Sequence, residues 1–241
     1  MKKKKLNQWK ETYELKNIYC TEKRFPFFKI AADYLPNKNN SLIVDVGTGD
    51  ASFVDSLGLD KKYENLYLLD KNQSTIRELK KRFKNAILYK VPDRLPFDNK
   101  SVDFIHCSHL IEHLYYDEFY KFLKEIDRVM KINGVLVFSA PLYWEKFYGN
   151  PSHIKPYNPE SIILNFCYGM KNLSNDEISE SYSLLKLIYR YSKSNKTEEG
   201  LGSSLKSIDL LISFIKWIFS KLFKVYNYRK SGYTIVLKKE L

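Results

Sequence analysis

A parallel α/β sheet covered by helices on both faces is the fold this 241-residue sequence predicts, on three observations. Short apolar runs recur at LIVDV (42–46), NLYLLD (65–70), AILYKV (86–91), VDFIHCS (102–108) and GVLVFSAP (134–141). The first is continuous rather than alternating, as a strand buried on both faces is. Stretches with helical periodicity separate most of these runs, and the first run breaks at an aspartate into a glycine loop, VGTGD. Strand alternating with helix across 42–141 is a βαβ series, and its crossovers require parallel strands.

Each remaining element has its own signal. FPFFKIAADYLP (25–36) reads as a helix with Pro26 in its first turn and Pro36 ending it. ASFVDSLG carries a short helix closed by Gly58, and QSTIRELKKRF (73–83) a helix with Ile76, Leu79 and Phe83 on one side. The strongest pattern is DEFYKFLKEIDRVMK (117–131), where Phe119, Phe122, Leu123, Ile126 and Met130 recur at helical spacing behind Asp117 as the expected cap. Asn133-Gly134 marks a turn, PESIILNFCYG (159–169) a helix stopped by glycine, and YTIVLKK (233–239) a last strand.

With 44% hydrophobic and 28% charged residues, the chain is globular and long enough to bury a full core. Its formal charge of +12 favours anionic partners without choosing among nucleic acids, acidic lipids and phosphorylated metabolites. Cys20, Cys107 and Cys167 share no short spacing, which fits neither a disulfide framework nor a zinc knuckle. A reducing, cytoplasmic setting is the expectation. The N-terminus MKKKKLNQWKE is basic but lacks the apolar segment of a signal peptide, and no window has the charge-free length of a membrane span.

Ligands of doubly wound sheets bind beyond the carboxyl ends of the central strands. Gly47 and Gly49 sit at such an end and allow close approach of a ligand, although glycine after a strand is also an ordinary turn. A dinucleotide fingerprint needs a third glycine where Ser52 stands, and no lysine follows in phosphate-loop fashion. Asp70 ends the second strand, where a carboxylate can accept both hydroxyls of a ribose; its plainer role would be a helix cap. A ribonucleoside with a compact charged tail fits this pattern better than NAD.

VDVGTGD, LYLLD, LPFDNKSVDFIHCSHLIEHL and INGVLVFSAP, in this order and spacing, resemble the class I S-adenosylmethionine-dependent methyltransferases, in particular the small-molecule branch called type 11. The likeness covers about residues 40 to 141, and PSHIKPYNPESI is similar to a His–Tyr–Pro–Glu segment of that family. It implies a Rossmann-like, seven-stranded, mostly parallel sheet with a helical insertion before the last strand, and S-adenosyl-L-methionine as cofactor. By the same resemblance, Asp45 would help hold the methionine amino group and Gly47 and Gly49 would line the methionine. Asp70 would take the ribose hydroxyls, Lys71 and Asn72 would flank adenine, and Ser108 and His109 would lie beside the sulfonium. Two positions depart from the pattern. Ala51 replaces a frequent third glycine, and Val91 stands where an acid commonly meets the adenine amine. Either Asp93 serves instead, or apolar walls and backbone hold the base.

Methyl transfer from a sulfonium is an in-line displacement in which the protein supplies alignment and desolvation, with a general base for hydroxyl or protonated amine acceptors. His109, His113 and His153 are the candidates, each with a structural alternative. Tyr143 and Tyr157 are candidate orienting groups in an aromatic stretch with Trp144, Phe147 and Tyr148 that would form an active-site rim or a packed loop. His109-Leu-Ile-Glu112-His113 also matches the H-x-x-E-H of inverted zinc peptidases. That motif needs both histidines on one helix, whereas this segment begins where a strand ends, so no metal is expected.

LKSIDLLISFIKWIFSKLFKVY (205–226) has a wide apolar face and a narrow basic stripe, and 184–230 holds ten Lys/Arg against three Asp/Glu. It reads as a lid over the sheet, a contact with an acidic membrane surface, or a homodimer contact. The resulting division is a basic extension with a helix (1–40), a methyltransferase core (41–182), a basic helical insertion (183–231) and a final strand (232–241). The expected function is methyl transfer to a small-molecule, saccharide or lipid-precursor acceptor. The alternatives are a non-catalytic cofactor-binding or membrane-associated protein of this fold, and an RNA methyltransferase. Nucleic acid is disfavoured because no recognition module is present.

Overall fold

The computed structural model describes residues 19–169, 178–194, 206–223 and 227–241. Seven strands form one sheet: β1 (Leu42–Val46), β2 (Asn65–Asp70), β3 (Ala86–Leu88), β4 (Val102–Ser108), β5 (Met130–Pro141), β6 (Tyr182–Ser194) and β7 (Asn227–Lys239). Their order is β3-β2-β1-β4-β5-β7-β6. The first five run parallel, while β7 lies antiparallel to both β5 and β6. The chain starts at β1, winds outward to β3, then returns to β4 on the other side of β1. The reversal opens a crevice above the ends of β1 and β4.

The helices are α1 (Phe25–Ala32), α2 (Ser52–Leu57), α3 (Leu59–Lys62), α4 (Gln73–Leu79), α5 (Tyr116–Val129), α6 (Pro159–Cys167) and α7 (Lys206–Phe223). Strand alternation divides the core between the two faces. Val44, Val46, Ile105 and Cys107 point to one face, packed with Phe122, Leu123 and Ile126 of α5 and Phe166 of α6. Ile43 and Phe104 point to the other, packed with Phe27 and Phe28 of α1, Phe53 and Val54 of α2 and Ile76 of α4.

Several boundaries differ from the sequence expectation, for local reasons. The helix expected from Asp117 begins at Tyr116, with Asp117 inside its first turn. The end is closed instead by Glu118, whose Oε2 accepts the Tyr115 N–H at 2.8 Å. The helix of 73–83 ends at Leu79, and the strand of 86–91 ends at Leu88. Asn72 caps α4 by accepting from Ser74 N and Thr75 N, so Asp70 is not that cap. The segment assigned to a helical insertion from 183 opens on β6, which pairs with β7 from Tyr182↔Lys239 to Ser194↔Asn227. Its alternation is broken by a bulge between Leu184 and Lys186, which hid the strand in the sequence. The helical part is α7 alone. Its exposed side chains include Leu210, Leu211, Phe214, Ile215, Trp217 and Leu222, whose spacing gathers them on one side of the helix. Lys206, Lys216 and Lys221 of the expected basic stripe lie in α7 with side chains outside the described residues, as does all of Lys224. No described helix is long and apolar enough to cross a membrane.

Candidate active site

A cleft of about 410 Å³ opens over the ends of β1, β2 and β4, lined among others by Gly47, Gly49, Asp70, Lys71, Ser108, His109 and His113. The glycine loop is tied to β2: Gly47 N and Thr48 N both donate to Leu69 O, at 2.8 and 3.1 Å. Gly47 has φ +73°, and a Cβ there would stand 2.6 Å from Leu110 Cδ1, so both conformation and space require glycine. Leu110 occupies the space against Gly47, whereas nothing lies within 4 Å of a Cβ built on Gly49 (φ +55°). The loop is therefore open at Gly49. Ala51 takes the left-handed φ of 62° that a third glycine would adopt without strain.

Asp70 is held between the loop and the next helix. Its Oδ2 accepts Gly49 N–H at 3.0 Å and its Oδ1 accepts Asn72 N–H at 2.8 Å. These bonds fix the carboxylate while leaving lone pairs on each oxygen for a ligand. Lys71 lines the cleft beside it, while Asn72 serves as the helix cap. The third wall is Tyr89, Lys90 and Val91. Asp93 is not among the lining residues; its N–H donates to Lys90 O at 2.8 Å and its carbonyl accepts from the Tyr89 hydroxyl at 2.8 Å. The departure at Val91 thus leaves no acid on this wall.

Asp45 lies beneath the cleft rather than in it. Strand alternation sends its side chain to the α1/α2 face. There Oδ1 meets His106 Nδ1 at 2.7 Å and Oδ2 accepts the Thr48 hydroxyl at 2.7 Å. His106 is itself buried and stacked on Phe53 at 3.7 Å. The pair braces the glycine loop from below, a role the sequence reading missed because His106 stands 61 residues from Asp45.

His109 has φ +55° and lines the cleft. Its Nδ1 meets Glu112 Oε1 at 3.1 Å, and its Nε2 meets Arg190 Nη1 of β6 at 3.2 Å. A guanidinium can only donate, so Nε2 accepts and Nδ1 carries the proton toward the carboxylate. Burial, opposed in part by Glu112, lowers the imidazole below its ordinary pKa, which leaves it neutral at neutral pH. Burial also lowers the Arg190 pKa, with Arg24 acting in the same direction. Arg24 stands on the cleft wall as well. Neither arginine carried a sequence signal, since Arg24 reaches the cleft from just before α1 and Arg190 reaches His109 from β6, both outside the glycine-loop region.

His113 lines the cleft, while His153 stands behind it, against His113 at 5.0 Å between ring centroids. Of the expected rim, Tyr143 and Tyr148 are exposed and meet edge to face at 6.1 Å, and Trp144 is half-buried. Phe147 and Tyr157 belong to the interior. The Tyr157 hydroxyl donates to Leu114 O at 3.1 Å, and burial pushes its pKa up to about 12, which fits a packing group rather than an orienting one.

This strand order with an antiparallel seventh strand, a glycine loop after β1 and an acid ending β2 is the arrangement of the class I methyltransferase fold. Residues 44–138 match the model of a methyltransferase domain family, type 11. An Arabidopsis thaliana protein described as an uncharacterised chloroplastic methyltransferase is 26% identical over 163 residues, 64% of this chain and 44% of that protein. The chain thus spans less than half the length of that curated relative. Among solved structures, an S-adenosylmethionine-dependent methyltransferase from Archaeoglobus fulgidus superposes with a TM-score of 0.56 at 18% identity, covering 90% of this chain and 95% of that one. A second from Aquifex aeolicus gives 0.52 at 16% identity over 91% and 94%. These likenesses show the shared fold.

Proposed function

We propose that the protein transfers a methyl group from S-adenosyl-L-methionine to a small-molecule, saccharide or lipid-precursor acceptor. The observation that carries this reading is the Asp70 carboxylate, anchored by Gly49 N–H and Asn72 N–H at the mouth of a cleft whose glycine loop is open at Gly49. The cleft's volume falls in the range of small-molecule sites. When bound, the cofactor supplies an activated methyl group on a sulfonium.

The residues present suit that molecule. Asp70 would accept the two ribose hydroxyls, and Tyr89, Lys90 and Val91 would wall the adenine, with Lys71 at its side. Gly47 and Gly49 would follow the methionine chain, and Arg24 offers a guanidinium to its carboxylate. Asp45 acts through the loop as a positioning residue. Ser108 and His109 would lie beside the sulfonium. Because Arg190 donates to His109 Nε2, the imidazole is held as a fixed wall, and it would have to release Arg190 before taking a proton from an acceptor. Alignment and exclusion of water are then the protein's main contribution to the displacement.

Calorimetry with S-adenosylmethionine and with NADH tests the cofactor class, and an acceptor screen with labelled cofactor tests transfer. Binding of the first ligand alone is expected. No heat with S-adenosylmethionine at millimolar concentration would end this reading.

The exposed side of α7 favours a second element of the proposal, contact with an acidic membrane surface. Leu210 (75% exposed), Leu222 (71%) and Trp217 (57%) present an apolar surface, and the chain's charge of +12 attracts anionic lipid. Sedimentation with anionic vesicles that weakens with salt is expected. No vesicle binding at low salt would remove the membrane contact and leave the transfer reading intact.

A further inference from the structure

We propose that Glu112, His113 and His153 bind one divalent transition-metal ion of the zinc class at the edge of the cleft. This inference does not depend on the methyl-transfer reading. One ligating atom from each side chain lies within 4.8 Å of the others. Donors around a single ion at about 2.1 Å stand about 3.4 Å apart, so small side-chain rotations close the set.

The surroundings favour ligation at each member. His113 Nδ1 lies 2.9 Å from Ser152 O, and His153 Nδ1 lies 2.7 Å from Phe147 O. A carbonyl only accepts, so in both rings Nδ1 holds the proton and Nε2 keeps its lone pair. That is the tautomer and the backbone support that metal-bound histidines use. Glu112 is 1% exposed; Oε1 is engaged by His109, while Oε2 is buried with no hydrogen-bond partner among the described residues. A buried carboxylate oxygen without a donor costs free energy that a cation would recover. An aromatic contact between the two histidines would explain their proximity but not this oxygen.

The two segments are also fixed relative to each other. Ile154 N and Lys155 N both donate to Glu112 O, at 2.8 and 3.3 Å, which sets the residue next to His153 against the turn Ile111–His113. Two imidazoles and one carboxylate suit zinc and its neighbours better than magnesium or calcium, which prefer all-oxygen shells. Three protein ligands leave a coordination position, and His113 lines the cleft, so an oxygen donor there could complete the shell. The H-x-x-E-H stretch thus contributes its Glu and second His, and His153 supplies the third ligand in place of His109.

Full-length protein is stripped with chelator and titrated with Zn²⁺ in competition with a chromogenic chelator. In parallel, Co²⁺ is added and its visible d–d bands are recorded. We expect one equivalent bound and cobalt bands of a nitrogen- and oxygen-ligated site. His153→Ala and Glu112→Gln should each weaken Zn²⁺ binding at least about tenfold. Retention unchanged in His113→Ala and His153→Ala would place the ion elsewhere and overturn the proposal. Absence of both Zn²⁺ retention and cobalt bands in the wild-type protein would do so regardless of how the variants fold.

Discussion

Replacing Asp70 by alanine is the sharpest perturbation of the proposed cofactor site. Its two oxygens already accept Gly49 N–H and Asn72 N–H, so each has capacity left for one ribose hydroxyl. A hydrogen bond to a charged acceptor contributes about 1.5–3 kcal/mol. Because the oxygens are shared with backbone donors, the lower end applies, about 3 kcal/mol for the pair. That corresponds to a loss of about 150-fold in affinity. Calorimetry with S-adenosylhomocysteine reads it directly, and Asp70→Asn, which keeps one acceptor, should fall between the two. A 2′-deoxy analogue closes a double-mutant cycle, since it should gain less from Asp70 than the parent ligand does. Loss of the Gly49 anchor should cost only about 1 kcal/mol of stability, which a denaturant titration separates from the binding effect. An affinity within threefold of wild type in a folded variant would refute the ribose assignment.

Further outcomes follow from neighbouring contacts. Asp45→Asn weakens the buried bonds to His106 and Thr48, and urea unfolding should show a loss of about 2 kcal/mol; a change below about 0.5 kcal/mol would contradict the bracing role. Gly47→Ala forces both a strained φ and a contact with Leu110, whereas Gly49→Ala meets only the strain. The first should destabilise more, by about 1 kcal/mol in unfolding free energy from a denaturant titration, and the reverse order would be inconsistent with this loop geometry. Phe214 and Trp217 stack at 6.0 Å on the exposed side of α7. Changing both to serine should cut partitioning onto anionic vesicles at least about tenfold, and unchanged partitioning would exclude this face as the contact.

Legibility in the sequence followed the range of each interaction along the chain. β1, β2 and β4 were read with their observed ends because continuous apolar runs and the punctuation around them are local properties. The glycine loop and Asp70 were legible for the same reason, since strand ends and ligand crevices coincide in a doubly wound sheet. β6 escaped because its bulge interrupts the alternation that marks a strand. Asp45 was read as a ligand contact although the two-residue period directs it under the sheet. Placing it required knowing which face α1 and α2 cover.

The sequence by itself determined the layered α/β core and the position of a nucleoside-sized crevice at the reversal of strand order, because periodicity and turn chemistry act over a few residues. Only the tertiary structure decided which groups meet there. Arg190 reaches His109 across 81 residues by way of β6 at the sheet's far edge. His153 reaches His113 through a loop pinned to the Glu112 carbonyl. Such meetings depend on strand order and loop closure, which the chain settles as a whole, so no short stretch of residues announces them.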